Sequence, residues 1–154
     1  MNTYQVIDEP QHSKMSKVTV NPMWPLLSSM VGGALFGWLW FAVNSFALNS
    51  PNRGKELLTI VIALFVFVAA HVATGIFLNN GYLKGIPVDY VILILLCMKL
   101  VFSYKLFLMQ MKSFSVYTHF EGKVANPVAG LILAYLAGRK VEFIVADFLL
   151  SWGQ

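Results

Sequence analysis

The chain has 154 residues, 58% of them apolar and 12% charged, with a mean hydropathy of +0.69. A soluble domain of this size needs a polar face on nearly every helix, so this balance excludes the ordinary globular and disordered classes. The net charge of +4 sits in short runs such as Asn52-Arg53-Gly54-Lys55, which points to helix ends anchored near anionic headgroups and away from nucleic acid as a partner.

Residues 1–22 read as a polar tail, with Asp8, Glu9, Lys14 and Lys17 and a helix-breaking Pro10. No cleavable signal peptide is expected, because the apolar run that follows is too long for an h-region. Trp24–Leu48 is 25 residues without a formal charge. It is expected as a first membrane helix, with Pro25 suited to a first turn and Trp24 to an interface. Asn49-Ser50-Pro51-Asn52-Arg53-Gly54 is a dense turn signal that ends it. Leu57–Leu78 follows with 22 uncharged residues, about 33 Å of helix and enough to cross a bilayer core. Asn79-Asn80-Gly81 stops it.

Pro87 opens a third helix, cleanly apolar over Val91–Met98 and carrying lysines on to Ser113. A connector with His119, Glu121 and Lys123 leads to a fourth helix near Pro127. Its apolar part, Pro127–Gly138, is only 12 residues. Beyond it, Val141, Ile144, Val145, Phe148, Leu149 and Trp152 recur at helical spacing, while Lys140, Asp147 and Ser151 fall on another face. Two readings stand, one long helix or a short span followed by an interfacial helix, and the long helix is preferred. The expected fold is therefore all-α and integral to a membrane. It is one domain over 23–154, a four-transmembrane-helix bundle with helices about 24–48, 56–78, 87–113 and 126–151. Arg53, Lys55, Lys112 and Lys123 outnumber the lysines expected opposite, which places their two loops in the cytoplasm and both termini outside.

Two ladders of small residues mark helix packing: Ser29, Gly33 and Gly37, and Gly130, Ala134 and Gly138, each at i, i+4, i+8. Lipid tails give helices no hydrophobic reason to associate, so backbones approach at such positions, within a monomer or between copies. The plainer alternative is glycine scattered in apolar helices. His71, Lys99 and Asp147 are the intramembrane polar candidates. His71 has no second histidine at ligand spacing, so a packing histidine is preferred to a metal or haem site, and no cofactor is expected. Lys99 follows seven apolar residues and needs a counter-charge, for which Asp147, Glu142 and Asp89 are candidates. Cys97, alone and mid-helix, is expected as a small buried residue. No catalytic constellation is legible, since Ser28, Ser29, Ser45 and Ser103 lack a placed base.

Gly33-Ala34-Leu35-Phe36-Gly37-Trp38-Leu39, leading to Asn44 and Ala47-Leu48, resembles the first helix of a family of small bacterial multi-pass membrane proteins of uncharacterised activity. Gln110, Phe114, His119 and Gly122 resemble a second block of that family. Gly122-Lys123 stands where the family has paired glycines, and Pro25 departs from its usual proline placement. The resemblance implies a bacterial inner-membrane protein and brings no activity with it. The function expected is a non-catalytic interaction, assembly, accessory or immunity-type subunit, partnered by lipids and by its own copies or a larger membrane protein. The alternative is a small transporter or channel subunit with a polar path near Lys99, His71 and Asp147.

Overall fold

The computed structural model describes residues 15–152, so most of the expected polar tail lies outside the described residues. Within them the chain is all-α, with five helices and no strand. They are α1 (Met23–Val31), α2 (Ala34–Ala47), α3 (Arg53–Asn79), α4 (Val88–His119) and a fifth in two α-helical parts, α5 (Val128–Leu133) and α6 (Arg139–Trp152). A π segment, Ala134–Gly138, joins α5 to α6 without leaving helical backbone. The last stretch is thus one rod over 128–152. Helices α3 and α4 are long and apolar enough to cross a membrane.

The largest departure from expectation is at 24–48, where a helical hairpin stands in place of one helix. Gly32 closes α1, its N–H donating to Ser28 O at 2.7 Å. Gly33 then takes φ 91°, ψ 153°, a region essentially open to glycine alone. The chain folds back there. A Cβ on Gly37 would overlap Ser29 Cβ and stand 3.0 Å from Pro25 O. On a straight helix residues 29 and 37 would be about 12 Å apart along the axis. Val20 N donates to Asn44 Oδ1 at 2.9 Å, tying the entry of α1 to the exit of α2.

Other segments gather at that same end. Asn49, in the left-handed region at φ 48°, terminates α2 as asparagine commonly does. Ser50 Oγ lies 3.0 Å from Ser113 Oγ, bringing the α2–α3 connector against the end of α4. Ala125 N donates to Thr19 O at 2.7 Å, so α5 starts there too. The residues just before α1 therefore lie with both connectors. The expectation that both termini sit on the opposite side fails for the N-terminal part, because α1 and α2 return the chain to where it entered. The rod over 128–152 carries the chain roughly 36 Å from that end.

Trp38, Phe41, Phe67 and Leu106 form the centre of the core, each no more than 1% exposed. The Trp38 indole meets Phe67 and Phe102 edge-on, at centroid distances of 6.1 and 6.4 Å, which locks α2 to α3 and α4. The inward face of α4 is Lys99, Ser103, Leu106 and Gln110. Cys97, two residues before Lys99, points the other way and is exposed, not buried as expected.

Candidate functional site

Two polar clusters are built on α2, one at each of its ends. At the N-terminal end, helix geometry leaves the first amides without intrahelical partners, and the aligned dipoles favour negative charge. Glu142 of α6 supplies it: its Oε2 accepts from Leu35 N at 3.1 Å. Its Oε1 accepts from Lys99 Nζ at 2.8 Å, an ion pair whose side chains are 22% (Lys99) and 12% (Glu142) exposed. One carboxylate thus fastens the hairpin tip, α4 and α6 together. Gly33 makes room for it, since a Cβ there would stand 2.6 Å from Glu142 Oε2. Ser103 Oγ donates to Lys99 O at 2.9 Å and accepts from Trp38 Nε1 at 3.0 Å, extending the cluster into the core.

The two small-residue ladders meet here, in a different way from the single-helix faces read in sequence. Ser29, Gly33 and Gly37 are divided between α1, the turn and α2, so they face one another across the hairpin. Gly130, Ala134 and Gly138 form the surface on which the hairpin rests. A Cβ at Gly130 would collide with the Trp40 ring, and one at Gly138 with Gly32 O. Gly32 packs its backbone on Ala134. The π segment lies where this tip presses into the rod, and such single wide turns concentrate at functional positions.

The expected intramembrane trio separates. Lys99 takes Glu142, not Asp147. Asp147 is exposed and, among the described residues, in no salt bridge. Five residues past Glu142 on a helix is about 140° of rotation, so the two carboxylates cannot face the same neighbour. His71 is buried, with Nδ1 2.7 Å from Phe67 O and its ring 4.1 Å from that of Phe67. A cleft of about 390 Å³ opens beside the Lys99–Glu142 pair, lined by Ser29, Met30, Leu96, Leu100 and Arg139 among others.

The second cluster, at the C-terminal end of α2, was missed in the sequence. Asn44, Glu56 and Gln110 are all fully buried. Gln110 Nε2 donates to Phe41 O at 2.7 Å and to Glu56 Oε2 at 3.0 Å, while its Oε1 accepts from Asn44 Nδ2 at 3.0 Å. Ser50 Oγ donates to Glu56 Oε1 at 2.5 Å. With Val20 N on Asn44, the network joins the segment that enters α1, α2, α3, α4 and a connector. Asn44 and Gln110 stood out only through the resemblance, and Glu56 read as a helix start. The available signal was three polar residues in otherwise apolar helices, each needing partners once buried.

Among the described residues, no three His, Cys, Asp or Glu side chains come together as a metal site would require. The arrangement fastens helices and opens on a charged cleft beside Lys99 and Glu142. No protein-family model, curated protein or solved structure matches this chain.

Proposed function

We propose that the chain is a multi-pass protein of a bacterial inner membrane that works as a non-catalytic interaction, assembly or accessory subunit, with α1–α2 as a re-entrant hairpin. Support for the membrane comes from how little of the apolar helices is covered. Only 28% of the most apolar stretch of α3 and 11% of that of α4 is buried, whereas a core helix of a soluble protein is mostly buried. Phe65, Ile94 and Val101 stand 74%, 68% and 66% exposed, which suits a lipid solvent. With the hairpin folded back, Lys17, Arg53, Lys55, Lys112 and Lys123 share one end and Lys84 lies at the other. By the positive-inside rule the connector end is cytoplasmic.

The observation that carries the non-catalytic reading is the closed Lys99–Glu142 pair, which turns the costliest charge in the chain into a helix fastener. The small-residue ladders are occupied within the monomer, so association with copies or a larger membrane protein runs over the exposed faces of α3 and α4. Native mass spectrometry of the protein extracted gently from its membrane tests this. The expected result is a discrete assembly with itself or with a co-purifying membrane protein, and a bare monomer under every mild extraction would overturn it. The cleft beside Lys99 favours a second reading, a transporter subunit. Gradient-driven flux in liposomes that Lys99→Leu abolishes would establish that reading in place of the first.

A further inference from the structure

We propose that a groove between α3 and α4 at the connector end is a binding site for an anionic phospholipid of the leaflet on that side. The proposal rests on the membrane reading above. The groove holds about 700 Å³ and is lined by Asn52, Lys55, Lys105 and Lys112 with Val101, Tyr104, Leu108 and Met109.

Three positive charges from two helices converge on it, and no carboxylate lines it. Among the described residues none of the three lysines is in a salt bridge. The helix registry sets their heights. Glu56 is bonded to Gln110 and Ser50 touches Ser113, so Lys55 and Lys112 stand level at the end of the bundle. Lys105 lies about 10 Å deeper, two turns along the same face of α4. Its long stem lets the ammonium rise toward the other two while the methylenes stay in apolar surroundings. Like charges gathered this way call for an anion between them, and basic pockets between membrane helices suit phospholipid head groups.

What lies below the lysines favours a lipid over a free anion. Leu108, Tyr104 and Val101, 48%, 55% and 66% exposed, descend one face of α4 from below Lys112 to below Lys105 and form an apolar track for an acyl chain. A phosphate seated between Lys55 and Lys112 places its glyceride at the top of that track. Three lysines fit a head group with more than one phosphate better than one with a single charge.

Native mass spectrometry of the full chain in detergent, titrated with cardiolipin, phosphatidylglycerol and phosphatidylcholine, tests the site. The wild type is expected to retain cardiolipin above phosphatidylglycerol and both well above phosphatidylcholine. The Lys55→Gln/Lys105→Gln/Lys112→Gln variant is expected to lose cardiolipin retention by roughly tenfold or more. Lys84→Gln and Lys123→Gln, basic residues outside the groove, are expected to leave it unchanged. All the substituted lysines are exposed, and an unaltered melting temperature in lipid-free detergent checks the fold; should the triple variant melt early, each single substitution is expected to cut retention severalfold. Equal loss in the control variants would mean diffuse charge attraction and would overturn the site. Retention unaffected by the groove variants would overturn it too, as would inorganic diphosphate competing as well as the lipid, which would assign the lysines to a soluble anion. A chain that stays soluble and monodisperse without detergent would instead remove the membrane reading itself.

Discussion

The two ends of α2 solve the same problem, polar groups among apolar helices, with opposite chemistry. At its C-terminal end Asn44, Gln110 and Glu56 are sealed from solvent, and the Gln110 amide and the Ser50 hydroxyl satisfy one carboxyl. At its N-terminal end two full charges meet in a pair that keeps some exposure and opens on a cleft. A sealed network has no alternative partners, so it holds one geometry. A charged pair at a cleft edge has alternatives in water or a ligand, so it can exchange. The first cluster is a clamp sealed from solvent, and the second is a fastener at the edge of a cleft.

The comparison is broken most severely at Gln110. Gln110→Leu strips the partner from Asn44 Nδ2 and from Glu56 Oε2 together, at about 1–3 kcal/mol for each orphaned atom, and removes a second donor from the Phe41 carbonyl. The expected outcome is failure to accumulate or a large drop in melting temperature in detergent, and wild-type stability would show that no clamp exists. Gly33→Ala is next. It forces a glycine-only backbone on alanine and pushes on Glu142, for an expected loss of about 3 kcal/mol. Gly54→Ala, with nothing near its added carbon, is the matched control and should be neutral or mildly stabilising.

Lys99→Leu sharpens the contrast. It leaves Glu142 with the Leu35 amide alone, for an expected loss of about 2–3 kcal/mol given the partial exposure of the pair. Lys99→Leu/Glu142→Leu should recover part of that loss, whereas a second substitution added to Gln110→Leu should recover none. Thermal melts of the single and double variants measure both. Smallest of all is Asp147→Asn, expected within about 0.5 kcal/mol of wild type because the side chain is exposed and outside the pair. A loss as large as that of Lys99→Leu would return Asp147 to the site.

Helices α3 and α4 were legible because their signals are local: an uncharged run, Asn79-Asn80-Gly81 at one stop and Pro87 at the next start. The hairpin was not. Gly32-Gly33 sits inside 25 uncharged residues, and glycine is tolerated in membrane helices, so composition cannot separate a packing glycine from a turn. The backbone angle at Gly33 decides, and that angle depends on what Glu142 and the rod at 134–138 do. The need of Lys99 for a partner was legible, but the choice of Glu142 over Asp147 was not. It turns on how far the rod is rotated, and the π segment inserts an extra residue, shifting the phase of α6 relative to α5. The Asn44–Gln110–Glu56 network joins residues 66 and 54 positions apart in sequence, and no local pattern announces such a pairing.

Side-specific cysteine labelling tests the re-entrant hairpin most directly. In a Cys97→Ser background, Val18→Cys, Asn52→Cys, Thr118→Cys and Tyr82→Cys are probed in sealed vesicles with a membrane-impermeant maleimide. With a hairpin, Val18, Asn52 and Thr118 label from one face of the membrane and Tyr82 from the other. Labelling of Val18 together with Tyr82, opposite Asn52, would mean that residues 24–48 cross the membrane once and would contradict the hairpin.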